Sequence, residues 1–150
     1  MSRILLALSL VAVLAGFALV SDAPPADEAD ARALAREWID TWNAHDVEAH
    51  IALLADGALL AWPGGQQVVV DDRAAVTVGA RQFHAYAAEF RLDVAPTRVR
   101  VSDGTALVFV EGARSAPGQP DLPVHTLLAM EETPAGWRIT AEHTMAIQAE

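Results

Sequence analysis

The chain has 150 residues, 53 % of them hydrophobic, and a formal net charge of −10. That is length for one domain with one sizeable core, and too much apolar content for a disordered chain. The acidic balance repels nucleic acid and anionic lipid and sets both aside as partners, and the absence of cysteine excludes disulfides, thiol nucleophiles, thiolate metal sites and a lipidated cysteine anchor.

Residues 1–3 form a short basic start, and 4–20 are apolar apart from Ser9 and Gly16. Asp22, Pro24, Pro25, Asp27 and Glu28 end that run. The layout is that of a secretory signal, and the run falls just short of the roughly 18 residues that a membrane span needs. Residues 1–23 are therefore expected to be a signal peptide or an uncleaved N-terminal anchor, with 24–28 a linker and 29–150 one domain. Either form puts the domain outside the cytoplasm: periplasmic, secreted, or held on the outer side of the cytoplasmic membrane through residues 4–20.

From about Ala29, Ala31, Leu34, Ala35, Trp38, Ile39 and Trp42 recur at three- and four-residue spacings, which predicts an amphipathic helix of about four turns. Asn43, Ala44 and His45 break the period. Asp46 is placed to cap a short second helix with Val47, Ile51 and Leu54 as its stripe. A strand follows over Ala58, Leu60 and Trp62, then a Pro63-Gly64-Gly65 turn and a short strand over 66–70. Asp72 can cap a third helix whose apolar face is Val76, Ala80, Phe83, Ala87 and Phe90, bordered by Tyr86. After Leu92 the period changes to two. Strands are expected over 94–101, 105–113, 124–132 and 137–148, with turns at 102–104 and 133–136 and a loop over 115–123. Helices first and hairpin-linked strands after them predict an α+β fold.

The stretch 39–65 carries a resemblance. The helix ending W-N-A-H-D, the helix V-E-A-H-I-A-L-L, the strand entry A-D-G-A-L-L and the P-G-G turn resemble the nuclear transport factor two-like superfamily, as do the later D-R-A-A-V helix start and the closing G-W-R-I-T-A-E-H-T strand. SnoaL-like cyclases and ketosteroid isomerases belong to it. The resemblance implies a cone-shaped, strongly curved antiparallel sheet packed on three N-terminal helices (cystatin-like), a pocket at the wide end, and a homodimer. It does not imply a reaction, since the superfamily holds enzymes and non-catalytic domains alike. The isomerase general base falls at Trp62 and its oxyanion-hole tyrosine at Trp38, while the partner acid falls near His125 or Thr126. Trp62 cannot take a proton and Trp38 has no acidic hydroxyl, so the isomerase mechanism is not expected.

The remaining residues suggest a pocket rather than a reaction. With regular alternation, Trp137, Ile139, Ala141, His143, Met145 and Ile147 share the inward face of the last strand. His143 would be its one polar group, a candidate general base or ligand-orienting residue; a hydrogen-bonded core histidine is the other reading. His125 has no readable direction. His84 is expected to be exposed, Glu142 and Glu111 to face solvent or a dimer partner, and Trp42 to be core packing. The histidine spacings give no zinc pattern, so no metal or cofactor is expected. The candidate ligand-binding set is Trp38, Trp62, Tyr86, His125, His143 and Met145, suited to an apolar or aromatic small molecule. The competing expectation is a non-catalytic homodimerisation or interaction domain whose cone is filled by its own side chains.

Overall fold

A computed structural model describes residues 26–62 and 66–146. The proposed signal segment, the Pro63-Gly64-Gly65 turn and Ile147 lie outside the described residues. The described elements are helices α1 (Ala26–Ala44), α2 (Val47–Ala52) and α3 (Arg73–Tyr86) and strands β1 (Leu54–Trp62), β2 (Gln66–Val69), β3 (Arg91–Ser102), β4 (Thr105–Ser115), β5 (Leu122–Thr133) and β6 (Gly136–Ala146). The six strands form one sheet in the order β2-β1-β6-β5-β4-β3.

The α+β layout of three helices on one sheet is as expected. One pairing differs from the expected antiparallel sheet: β1 runs parallel to β6, so the sheet is mixed. The reason is topological. The first hairpin, β1–β2, enters the sheet beside the last strand, and α3 carries the chain from that edge to β3 at the other.

The helix α1 is alanine-rich, with Asp27 and Glu28 in its first turn where the helix dipole favours negative charge. Its stripe of Ala31, Leu34, Ala35, Trp38 and Ile39 is buried in the core. Two polar clamps fix its position over β3. Arg32 donates from Nη1 to the Pro96 carbonyl at 2.8 Å. Asn43 donates to the Leu92 carbonyl at 3.0 Å and accepts from the Leu92 N–H at 2.8 Å. His45, at φ 54°, takes the left-handed conformation that ends the helix. Asp46 then caps α2 by accepting from the Ala49 N–H at 3.0 Å, and Asp72 caps α3 through the Ala75 N–H at 3.1 Å. Helix α3 stops at Tyr86, short of the expected Phe90.

The decisive local feature is in β6. Ala141 pairs with Ala129, but Ile139 pairs with Met130, so Thr140 is an extra residue with no partner of its own. This is a β-bulge, and one extra residue reverses which face later side chains take. Before it, Trp137 and Ile139 point into the core. After it, Glu142 is inward at 3 % exposure, and Met145, at 47 %, is outward with His143. The unbroken alternation expected over 137–147 is therefore corrected. His143 and Met145 lie on the outer face, and Glu142 is buried.

Candidate functional site

The helices and the inner sheet face form a partly open cavity of about 110 Å³ lined by Trp38, Trp42, Trp62, Phe83, Leu92, Glu142 and Thr144. Trp38 reaches it from the middle of α1 and Trp42 from one turn further on. Trp62 comes from the end of β1, Phe83 from α3, and Glu142 and Thr144 from β6 beyond the bulge. A wider groove of about 440 Å³ adjoins it, sharing Trp62 and Phe83 and bordered by Val68, Val76, Gly79 and Ala80. The two shared rings are stacked, with centroids 5.7 Å apart and planes 6° from parallel.

Glu142 is the chemical centre of the cavity. The Trp38 indole N–H donates to Oε2 at 3.0 Å, and the Trp62 indole N–H to Oε1 at 3.1 Å. The Thr144 hydroxyl stands 3.4 Å from Oε1, and also 2.9 Å from the Thr126 hydroxyl, which is buried beneath it. Burial pushes the Glu142 carboxyl above the usual carboxylate range, and the three donors only partly offset it. Among the described residues no Arg or His forms an ion pair with it; the four ion pairs engage Glu28, Asp56, Glu48 and Glu111 instead. Glu142 is thus a carboxyl held by neutral donors in an aromatic wall, its burial favouring the protonated form.

A second cluster lies behind Trp42. His84, expected to be exposed, is 5 % exposed, because α3 turns this face toward α1 and α2. Its Nδ1 is 3.0 Å from the His45 Nδ1, and Arg91 donates to the His45 Nε2 at 2.7 Å. The acceptor role at Nε2 puts the His45 proton on Nδ1, where it is donated to His84. His50 sits 3.1 Å from the Thr41 hydroxyl through its Nδ1. Burial, and next the electrostatic effect of His84, lower its pKa to about 4; burial and next the electrostatic effect of His45 lower that of His84. Among the described residues no three His, Asp or Glu side chains are grouped to hold a metal ion.

Of the sequence-predicted site residues, the structure brings only Trp38 and Trp62 to the cavity. Tyr86 is 84 % exposed at the end of α3. His125 is opposite Glu111 on β4 and Met145 on β6, and with His143 it belongs to the outer face. These four do not line the cavity, and the bulge is the reason for His143 and Met145. Trp42, expected as core packing, lines it, and its indole N–H is buried with no hydrogen-bond partner. Glu142, Trp42, Phe83 and Thr144 were missed. The only available signal for Glu142 was that β6 carries no large apolar residue at positions 141 and 143.

Three helices over this mixed sheet, with a cavity between the first helix and the last strand, define a nuclear transport factor two-like, cystatin-like domain. The chain matches the SnoaL-like domain over residues 31–146 and belongs to that family. It is similar to a domain of unknown function with a cystatin-like fold from Nostoc punctiforme, at 23 % identity and TM-score 0.72 over 85 % of this chain and 81 % of that one. It is also similar to a ketosteroid isomerase-like protein from Erwinia carotovora atroseptica, at 22 % identity and TM-score 0.64 over 84 % of this chain and 100 % of that one. A further likeness is to an NTF2-like protein with a cystatin-like fold from Novosphingobium aromaticivorans, at 18 % identity and TM-score 0.69 over 100 % of this chain and 94 % of that one. At such identities the likeness carries the fold alone. No curated protein matches the chain.

Proposed function

We propose that the protein is an exported small-molecule-binding domain, and that the cavity around Glu142 is its binding site. The observation that carries this is the Glu142 carboxyl, buried with neutral partners at an aromatic cavity. A buried carboxyl without a cation costs the fold free energy, so it is more economically explained as a recognition group than as core. The Trp42 indole N–H at the same wall is buried without a partner, a second polar group that the core leaves unsatisfied. The polar group assigned to the pocket is thus Glu142 in place of His143. Should the bound molecule also be transformed, Glu142 is the residue through which a proton would pass.

The reading is tested by native mass spectrometry of the protein purified after export in a bacterial host. A retained adduct that is lost in Glu142→Gln supports it. An adduct-free protein that also binds no member of a small-molecule panel overturns it. The mass of the mature chain reports in the same spectrum whether residues 1–23 are removed.

A homodimer belongs to the same proposal. Leu59, Leu107 and Met145 are exposed large apolar residues on the outer face of the sheet, away from the cavity. A second copy paired there would cover them and leave the cavity free. A dimer mass that Met145→Asp reduces to a monomer mass supports this; a monomer in the wild type overturns it.

A further inference from the structure

The charge balance of the cavity narrows the class of ligand. Every hydrogen-bond partner of Glu142 is a neutral donor, two indoles and a hydroxyl. Four aromatic side chains, Trp38, Trp42, Trp62 and Phe83, line the same space. An aromatic ring attracts a cation to its face, tryptophan most strongly, and the attraction grows where water is excluded. Burial favours the protonated acid in the free protein, and a cation bound among such rings would supply the positive charge that the ionised carboxylate lacks.

Size sets the next limit. A cavity of about 150 Å³ holds benzene, so one of about 110 Å³ holds a group of about four or five heavy atoms. A methylated ammonium group has that size. The adjoining groove, about 440 Å³ with Asp71 and Asp72 on its border, gives the rest of a larger molecule somewhere to lie. A bare metal ion is a poorer match, because a hard cation takes six or more oxygen ligands and the cavity supplies one carboxyl and one hydroxyl. The formal net charge of −10 raises the local concentration of any cation.

We propose that the cavity binds a small organic cation of the alkylammonium class, its methylated ammonium group ringed by Trp38, Trp42 and Trp62 and its charge met by the Glu142 carboxylate. This rests on the reading of the cavity as a ligand site, and sharpens it.

The test is a pair of tryptophan-fluorescence and calorimetric titrations of the purified protein at pH 8. One uses choline and tetramethylammonium, the other 3,3-dimethylbutan-1-ol, a neutral molecule of the same shape as choline. The cations are expected to bind about tenfold or more tightly than the neutral alcohol, and Glu142→Gln to remove that preference. Because the comparison is made within the wild-type protein, it stands even where the variant fails to fold. Equal binding of the alcohol overturns the cation assignment and leaves the ligand site standing. Binding of neither, with an adduct retained from the host, also overturns the cation assignment alone. Binding of neither, with no adduct and no other ligand, overturns both.

Discussion

The Trp38 indole N–H and the Glu142 carboxylate meet at 3.0 Å across 104 positions of sequence. That bond joins the first helix to the last strand inside the core. Both residues are nearly inaccessible to solvent, Trp38 at 2 % and Glu142 at 3 %, so the carboxyl cannot exchange this donor for water. Trp38→Phe keeps an aromatic ring but removes the N–H and part of the buried indole volume. It is expected to cost about 1–3 kcal/mol of stability at neutral pH and to push the Glu142 pKa further up. Urea unfolding measures the first and the pH profile of ligand binding the second. An unchanged unfolding midpoint would show that the bond does not support the fold.

Ligand binding is expected to depend on pH in one direction. Burial raises the Glu142 pKa, and a cation needs the ionised form. Affinity should therefore rise as pH increases through the raised value and then level off. Glu142 is the one titratable group among the residues lining the cavity. His50 and His84 pack against Trp42 from behind it. Calorimetry at increasing pH, over the range in which the fold stays intact, measures the profile, and affinity that falls as pH rises would remove the Glu142 carboxylate from recognition.

Fold stability should respond to pH through His50 in the opposite sense to Glu142. The folded His50 pKa of about 4 lies below its ordinary 6.5. Its contribution is full above 6.5 and is lost as pH falls through that window toward 4. The difference corresponds to roughly 3 kcal/mol, and His84 shifts the same way. Glu142, with its folded pKa raised, adds stability at low pH that is lost as pH rises from 4.5 toward the raised value. Wild type and His50→Gln compared by thermal unfolding at pH 7 and pH 5 should show a smaller pH effect in the variant. Equal pH effects would place the acid sensitivity elsewhere.

His143→Ala should leave ligand binding unchanged, since His143 is exposed on the outer sheet face. Deletion of Thr140 removes the extra residue but keeps Ile139 opposite Met130 and Ala141 opposite Ala129, so Glu142 is expected to stay inward and binding to be retained, with only the local bend of the bulge lost. Binding lost in His143→Ala with its unfolding curve intact would contradict this placement.

Gly112→Ala tests the packing of β4 on β3. A Cβ at Gly112 would stand 2.2 Å from the Asp93 carbonyl oxygen and 2.7 Å from the Val94 Cα. Both are backbone atoms of a paired strand and cannot rotate away. A loss of about 2 kcal/mol or more is expected on thermal unfolding; a neutral result would mean the two strands separate there at little cost.

Much of the molecule could be read without coordinates. Periodicity located all three helices and the six strands. Asp46 and Asp72 were legible as caps because a cap is a local matter of one side chain and the N–H three residues on. Trp38 and Trp62 were placed at the cavity by resemblance. The chemistry of the site was not legible in the same way. Alternation assigns a face only while a strand stays in register, and the Thr140 bulge exists in relation to β5, whose pairing no local pattern in β6 reports. That one residue exchanged His143 for Glu142. Burial of His84 likewise follows from how α3 lies against α1 and α2.

The sequence by itself determined the α+β class, the element order, the helix caps and the acidic, cysteine-free composition, because each depends on neighbours within a few positions or on counts. Tertiary structure alone decided the parallel β1–β6 pair, the two indoles on one carboxyl, the unpartnered Trp42 N–H and the cavity that these side chains line. Those features depend on where residues 80 and 104 positions apart come to rest, and that is a property of packing and strand register, which local pattern does not encode.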